Sequence, residues 1–279
     1  MEKTKIDWCD SSWNPVTGCL HGCEYCYARG IAERFRGRKG YELNEDNTIF
    51  IHHFDGSPTI YELKEPCFFE EYDPFKEKTE EAKKTKQAPY PYGFKPTFHR
   101  YKLTEYINKM GRNIFVCSMS DLFGNWVPAE WRKEVFAACR KGHQHNYLFL
   151  TKNPRMYAVM DEQGELPADS NMWFGTSVTT PDDPFPYNGK MKHNLFLSIE
   201  PLLADFGVGN GEALRDIGWV IIGAETGRRK GKVVPEKSWV DNIVKQCEAL
   251  NIPVFMKESL RAIYGDDLLR EFPQGLIRG

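Results

Sequence analysis

Short apolar runs alternate with amphipathic segments along the chain from about residue 112 onward. This rhythm is typical of βαβ units that build a parallel sheet, whose buried strands are nearly continuous apolar runs. It predicts an α/β fold in which the whole chain, 1–279, forms one partial or complete parallel (β/α) barrel, TIM-like. The predicted strands are residues 113–120, 146–152, 172–179, 193–200, 218–225 and 252–258.

Capping residues and apolar spacing predict helices between these strands. Pro128 and Pro235 both suit the first turn of a helix. From about 235 to 250 the apolar residues recur at helical spacing, which predicts one buried stripe. Cysteines that fall inside such elements are interpreted as core thiols, because a free cysteine behaves as a small apolar side chain. These are Cys117, Cys139 and Cys247.

Residues 41–96 break the rhythm and are predicted to form an insertion after the first helix. They are polar and rich in aromatic residues and proline, with a run of charges at 77–86. Such a composition is typical of a solvated insertion. A lid that covers a substrate is the alternative interpretation.

Composition narrows the class of protein without naming a function. The chain has 279 residues, 41% hydrophobic and 27% charged, with a formal net charge of −2. These values exclude disordered, collagen-like and coiled-coil proteins, and they give nucleic acid no overall electrostatic attraction. We expect a cytoplasmic protein without a membrane segment, because there is no secretory leader and no long apolar stretch. The eight cysteines are then better suited to metal binding or to a reduced core than to disulfides.

Three of these cysteines form the strongest motif in the sequence. Cys19, Cys23 and Cys26 have the spacing C-x3-C-x2-C, and glycines at 18 and 22 let the loop wrap closely. Structural zinc would need a fourth ligand, from His21 or Cys9. A four-iron cluster held by three thiolates would leave one iron open to another ligand. Thiols without any metal are the third interpretation.

Polar residues follow each of the six predicted strands. The carboxyl ends of parallel strands share one edge of the sheet, where ligand sites form, so we expect a ring of polar groups there. Any one of them could instead mark only the point at which a strand leaves the core. The residues are Ser118, Ser120, Asp121, Thr151, Lys152, Ser177, Ser198, Glu200, Glu225, Lys257 and Glu258.

The cysteine loop resembles that of the radical S-adenosylmethionine (SAM) enzymes, C-x3-C-x-aromatic-C, with Tyr25 at the aromatic position. The resemblance implies a [4Fe-4S] cluster on Cys19, Cys23 and Cys26, with SAM bound to the open iron. It further implies an external one-electron reductant, reductive cleavage of SAM and a deoxyadenosyl radical. The protein would position the cofactors and exclude competing reactions.

Further segments resemble a phage- and prophage-associated three-cysteine-motif family of unassigned substrate. Two departures stand out: the cysteine loop is shorter than the usual family form, and Ala224 replaces a glycine of the family's GGESG. The segments that carry the resemblance are IDWCDSSWNPVTGC, GFKPTFH, NIFVCSMSDLF, FLTKNPRM, LSIEPLL and WVIIGAETG.

The resemblance, together with the strand-end positions, gives a set of candidate ligand residues. For SAM these are Tyr25, Ser118, Ser120, Asp121, Ser177, Glu200, Gly223 and Glu225; for substrate they are His99, Lys152, Arg228, Arg229 and Lys257.

A nucleic-acid base, as the object of modification or repair, is the predicted substrate. The basic cluster at 228–232 could meet a phosphate backbone. Similarity of the strand-end motifs to repair enzymes such as spore photoproduct lyases supports the same idea by analogy. The alternative is a non-catalytic phage protein that binds nucleic acid and is stabilised by zinc or an iron–sulfur cluster.

Overall fold

The computed structural model describes residues 4–36, 48–51, 59–72, 83–185, 192–209, 211–227 and 229–276. Within them the strands are β1 Ser11–Trp13, β2 Val16–Thr17, β3 Thr48–Ile51, β4 Ile60–Leu63, β5 Phe68–Tyr72, β6 Lys83–Gln87, β7 Thr97–His99, β8 Asn113–Val116, β9 Asn146–Thr151, β10 Met172–Val178, β11 Asn194–Ile199, β12 Val220–Ile222 and β13 Val254–Met256.

Five α-helices lie within the same described residues, together with short 3-10 turns such as 100–104 and 258–260. The helices are α1 Tyr27–Arg34, α2 Ala129–Lys141, α3 Arg155–Glu162, α4 Lys237–Ala249 and α5 Arg261–Tyr264.

Seven strands form one parallel sheet in the order β1-β8-β9-β10-β11-β12-β13. Each strand pairs with the next of these along the chain, and the sheet curls into a half-barrel. All six predicted strands are present, so the prediction of an α/β fold with a partial parallel barrel is confirmed. The pattern did not predict β1, since it has only three residues and two of them are serines.

The two faces of this sheet bury different side chains. Outward-facing aliphatic residues such as Ile114 and Val220 pack with Trp131 of α2 and Ile243 of α4. The inner face of the curl is lined by packed aromatic rings. They are Trp8, Phe115, Trp173, Phe196, Trp219 and Phe255.

The segment before β1 links β8, the second strand of the sheet, to the chain that follows β13, the last strand. Asp10 accepts a hydrogen bond from the backbone N–H of Asn113 at the start of β8 (2.7 Å). Asp7 accepts from the N–H of Glu258, just after β13, and from Arg270, each at 2.7 Å. Residues 7–10 therefore connect the two ends of the curl through two carboxylates.

A second sheet, β2-β7-β4-β3, adjoins the cysteine loop. β7 pairs with β2, directly before the loop, and Phe94 packs with Cys19 and Cys26. Phe94, which falls within the predicted insertion, therefore belongs to the wall of the loop. Residues 41–47, 52–58 and 73–82 of the predicted insertion lie outside the described residues.

The predicted helices and the buried cysteines are confirmed, but both prolines lie before the first turn of their helices. Cys117, Cys139 and Cys247 are buried, as expected, whereas Pro128 is the N-cap of α2. Pro235 lies one residue before the cap of α4, Glu236, and is therefore outside the first turn. In the part of the chain that the structure describes, no helix has both the length and the apolar character needed to cross a membrane.

Gly18 fixes the contact between the second sheet and the cysteine loop. Its φ is +83°, and a Cβ built there would lie 2.2 Å from the backbone oxygen of Lys95. We expect Gly18→Ala to lower the free energy of unfolding by about 2–4 kcal/mol, of which about 1–2 is left-handed strain and the rest displacement of backbone. Urea denaturation measures this loss.

Gly164 provides the matched control, since its φ is +67° and a Cβ there meets nothing within 4 Å. Gly164→Ala should lose only the strain, about 1–2 kcal/mol. Equal losses in the two variants would contradict the close approach at Gly18.

Candidate functional site

The cysteine loop, residues 18–26, lies at the carboxyl end of β8. The N–H of Gly18 donates to the carbonyl of Met119 (2.9 Å), and Gly18 pairs with Ser120 as an isolated bridge. On the other side the N–H of Cys19 donates to the carbonyl of Phe94 (3.2 Å). The loop is thus held between the main sheet and the segment before β7.

The three thiols of the loop are half-buried, and those of Cys19 and Cys26 face backbone donors. Cys26 caps α1, and its sulfur accepts from the N–H of Arg29 at 3.5 Å. Burial raises the pKa of Cys19 to about 12; the N–H of His21 opposes this shift, and the nearby groups of Asp121, Cys23 and Cys26 add to it. Because Cys23 and Cys26 raise the pKa of Cys19, the three sulfurs lie close enough to interact electrostatically.

The chemistry of this donor set fits an iron–sulfur cluster. Such clusters take thiolates, and N–H groups directed at sulfur stabilise the ligating, anionic form. Cys19 and Cys26 each have such a donor. No three His, Cys, Asp or Glu side chains converge as a metal-binding group in the described ranges. A cluster on these three thiols would require their sulfurs to draw together.

Cys9, the other candidate ligand, lies against the aromatic inner face of the curl. Its sulfur contacts the carbonyl of Ile6 at 3.9 Å, and burial raises its pKa to about 12. The hydrogen-bond partners of this thiol therefore lie in its own segment and in β8, at Phe115.

Asp121 joins the loop to two strand ends. Its carboxylate is buried and accepts from Thr151 Oγ1 (2.8 and 2.9 Å), from the N–H of Lys152 (3.0 Å) and from the N–H of Phe123 (2.9 Å). His21 Nε2 lies 2.7 Å from its Oδ2. The residue predicted to bind SAM is thus fully occupied by protein groups, and it positions the cysteine loop.

The hydroxyl groups of Ser118 and Ser120 are likewise hydrogen-bonded within the protein. Ser118 Oγ donates to Asn14 Oδ1 (3.1 Å), and Ser120 Oγ donates to the carbonyl of Val16 (2.9 Å). Cys117, which precedes them, has φ +61°, so β8 ends in a sharp turn. The turn brings both hydroxyls against the segment 14–18 beside the loop.

The remaining strand-end groups form a row across the mouth of the half-barrel, which we call the charged row: Lys152, Ser177, Glu200 and Lys257. Lys152 Nζ donates to Ser177 Oγ (3.3 Å), and Ser177 Oγ donates to the carbonyl of Glu200 (3.4 Å). Glu200 forms an ion pair with Lys257. Two cations therefore flank one carboxylate across the carboxyl ends of β9, β10, β11 and β13.

Gly223 makes room for this ion pair. A Cβ at Gly223 would lie 3.0 Å from Lys257 Cδ and 3.2 Å from Glu200 Cγ. Ala224 has an ordinary backbone conformation, because Cys117 and Asn251 are the only non-glycine residues with positive φ in the described ranges. The alanine at position 224 thus leaves this loop unstrained.

Tyr25 connects the cysteine loop to the charged row. Lys152 Nζ lies 5.3 Å from the centroid of the Tyr25 ring. Burial raises the pKa of the Tyr25 hydroxyl, while hydrogen bonds to Lys152 and Thr179 oppose the rise. Below the row, Ser198 Oγ is fully buried without a hydrogen-bond partner among the described residues.

Glu225 is bound by a single arginine. Arg229 donates to both of its carboxylate oxygens at 2.7 Å, and the same guanidinium reaches Glu24 of the cysteine loop at 3.7 Å. These bonds lower the pKa of Glu225. Glu225 and Arg229 therefore form a salt bridge with each other. The sequence had predicted that Glu225 contacts SAM and that Arg229 contacts substrate. Arg228 lies outside the described residues.

His99 belongs to the second sheet. Its Nε2 lies 2.8 Å from Thr17 Oγ1 and its Nδ1 lies 3.2 Å from Tyr101 Oη, so both ring nitrogens are occupied. Burial holds its pKa well below the usual value, and the ring is neutral. His99, which the sequence predicted to contact substrate, is thus hydrogen-bonded within the protein beside β2.

Comparison with known families gives one match. A family model described as a protein of unknown function, DUF5131, matches residues 3–261. The chain belongs to the DUF5131 family. Searches of curated proteins and of solved structures found no match. Membership of DUF5131 assigns no activity, so the enzyme class, cofactors and partners stay predictions.

Two residues of this DUF5131 site were missed from the sequence. Asn14 accepts from Ser118 Oγ and from the N–H of Met119 (3.0 Å), and Tyr27 Oη donates to the carbonyl of Ser118 (2.8 Å). Asn14 lies directly before a proline, a position that favours extended backbone and could have marked it. No sequence pattern indicated Tyr27, since it contacts Ser118, a residue 91 positions away in the chain.

We expect Asp121→Ala to loosen the cysteine loop, because His21 loses its acceptor and three other donors lose theirs. Hydrogen–deuterium exchange should accelerate in residues 18–26 by about tenfold or more, equal to about 1.4 kcal/mol of local stability. Asp183→Ala is the matched control, since Asp183 caps Thr179 and Thr180 after β10 and has no recorded bond to the loop. Loop exchange that is equal in the two variants would contradict the positioning role.

Arg229→Gln should raise the pKa of Glu225 toward the ordinary carboxyl range, as read by carbon-13 NMR. A lowered pKa in the folded state stabilises the protein above the unfolded pKa, about 4.3, and this gain is lost as pH falls through the folded pKa. The parent should therefore lose more stability than Arg229→Gln as the pH falls below about 5. Arg140→Gln, which removes the Arg140–Asp169 pair, should leave the Glu225 pKa unchanged.

Proposed function

We propose that this DUF5131 protein is a radical-SAM enzyme. One observation carries the proposal: a loop with three half-buried thiols lies at the carboxyl end of a curled parallel sheet, beside a row of alternating charges. Sites in parallel α/β folds form at this edge. The half-barrel is accordingly interpreted as a partial TIM-like barrel.

Cys19, Cys23 and Cys26 would hold the [4Fe-4S] cluster. Three thiolates leave one iron for an external ligand, and the N–H donors of His21 and Arg29 stabilise the sulfurs. The cluster and SAM, when bound, would supply one-electron cleavage of SAM to a deoxyadenosyl radical, with the electron from an external reductant. All other functions of the site belong to the chain itself.

The charged row suits a ligand that carries both a carboxylate and an ammonium group, as the methionyl part of SAM does. Lys152 and Lys257 can pair with a carboxylate, while Glu200 can accept from an ammonium group. Tyr25 borders the row from the loop side. The aromatic layer beneath the row excludes water from below and strengthens these interactions.

For the substrate we propose a nucleic-acid base. Lys230 and Lys232 are exposed just beyond β12, at the carboxyl edge of the sheet, where they can meet phosphates. Arg229 is held by Glu225 and Glu24, so it contributes less to such binding than the sequence suggested.

A second candidate is a zinc-stabilised protein that binds nucleic acid without catalysis. It is favoured by the contact of His21 with Asp121, because histidines that ligate zinc commonly hold a carboxylate with their other nitrogen. His21 would then be the fourth ligand beside the three cysteines.

Anaerobic reconstitution followed by metal and product analysis separates the two candidates. We expect the parent and Cys247→Ala to bind about four irons per chain and to release deoxyadenosine from SAM with a reductant. Cys23→Ala should lose both, since it removes one of three ligands, while Cys247 is a core thiol. Iron content that is equal in Cys23→Ala and Cys247→Ala would contradict the ligand assignment, and a colourless protein with one zinc would establish the second candidate.

A further inference from the structure

Exposed aromatic rings are concentrated on one part of the molecule. Among the described residues, three aromatic side chains are more than half exposed: Tyr27 (53%), Phe35 (51%) and Phe68 (55%). Tyr27 begins α1, Phe35 is its C-cap, and Phe68 begins β5, which follows the second sheet along the chain. Large rings are normally buried because each removes much apolar area from water. Their grouping near the cysteine loop therefore marks a surface that meets a ligand.

Exposed cations accompany these rings. Arg29 and Arg34 lie on α1, and Lys95 lies in the segment before β7. All three are exposed, and none is paired with a carboxylate in the described ranges. Arg229 at the strand ends is held by two carboxylates instead. The cations near α1 are thus open to an anionic ligand, although the chain as a whole has a net charge of −2.

Cations and rings alternate along one line on this side of the molecule. The Arg29 guanidinium lies 4.9 Å from the centroid of the Phe94 ring, and Lys95 Nζ lies 5.6 Å from that of Tyr61. Tyr61 stacks on Tyr92, with ring centroids 3.8 Å apart and an angle of 13° between the rings. The line runs from α1 across residues 90–95 to β4. We call it the α1–β4 surface, made of Arg29, Arg34, Phe35, Tyr92 and Lys95.

The α1–β4 surface borders both the thiols and the mouth of the half-barrel. Phe94, beneath Arg29, packs with Cys19 and Cys26. Tyr27 follows Cys26, and its Oη donates to the carbonyl of Ser118, just after β8 (2.8 Å). A chain-like ligand that lies along this surface therefore passes beside the cysteine loop.

We propose that the α1–β4 surface binds a single strand of nucleic acid, with phosphates at Arg34 and Lys95 and a base stacked on Phe35. This inference rests on the proposed function for its substrate class, and it adds a contact region to the one at residues 230–232. Proteins that bind single strands combine cations that follow the backbone with rings on which bases stack. Both features occur together here.

A duplex and a protein partner fit this surface less well. In a duplex the bases already stack on each other, so phosphate contacts dominate and exposed rings have no base face to cover. The central part of a protein–protein interface is depleted of charged residues, and of lysine in particular. Lys95 lies in the middle of the α1–β4 surface, among its rings.

The test measures binding of labelled oligonucleotides to the full chain by fluorescence anisotropy at several salt concentrations. The probes are a single strand of DNA, a single strand of RNA and a DNA duplex. The variants are Arg34→Gln, Lys95→Gln and Phe35→Ala, with Lys230→Gln plus Lys232→Gln as a separate protein. The controls are Lys141→Gln and Met110→Ala, both exposed and near the amino-terminal edge of the main sheet.

We expect Arg34→Gln and Lys95→Gln to weaken binding of single strands at low salt. Each should also lower the slope of log affinity against log salt by about 0.7, because one phosphate contact is lost. Phe35→Ala should weaken binding about tenfold at every salt concentration, since base stacking is not screened. Both controls should match the parent, and the parent should bind the duplex more weakly than the single strands. Binding of either single strand supports the surface, and the stronger one identifies the preferred sugar.

The contrary results separate this surface from the proposed function. Parent affinity in all three variants, with loss only in Lys230→Gln plus Lys232→Gln, overturns the surface and keeps the substrate class. A duplex bound as tightly as the single strands overturns the role of the rings. Self-association that falls in the three variants while oligonucleotide binding is unchanged would assign the face to a second copy of the chain. A parent that binds no oligonucleotide ends this inference and the nucleic-acid substrate, whereas iron content and release of deoxyadenosine still decide the enzyme class.

Discussion

The Asp121 carboxylate is the constraint on which the site depends. It is buried, and it accepts hydrogen bonds from the turn after β8, from the end of β9 and from His21 of the cysteine loop. Burial of a carboxylate is costly unless such donors surround it, so loss of any one of them weakens the others. The Asp121 side chain thereby fixes the cysteine loop relative to β8 and β9, and this determines where the thiols of the loop lie.

In the half-barrel, the apolar side chains that pack the core and the polar side chains of the site lie at different depths. Its outer face packs aliphatic residues against helices, and the lower part of its inner face is closed by aromatic rings. The charged side chains of the row gather where the strands end, and Gly223 leaves the space that Glu200 and Lys257 need to meet. The aromatic layer bounds the charged row from below, and the side chains of Glu200 and Lys257 are only partly exposed, which strengthens their ion pair.

The six predicted strands could be read from the chain because buried parallel strands are continuous apolar runs. The wall of the cysteine loop could not, since Phe94 and its neighbours lie in a polar, proline-rich stretch whose role comes from pairing of β7 with β2. The candidate residues were predicted by position alone. Position does not reveal that Glu225 pairs with Arg229 or that Ser120 bonds to the Val16 carbonyl.

The sequence by itself determined the fold class, the cysteine motif and the edge of the sheet at which polar groups gather. These follow from local periodicity and from the rule that parallel strands end together. Only the tertiary structure decided which polar groups are occupied by the protein and which remain at the mouth. Hydrogen bonds such as that of His21 to Asp121 join residues 100 positions apart, and no local pattern encodes partners at that separation.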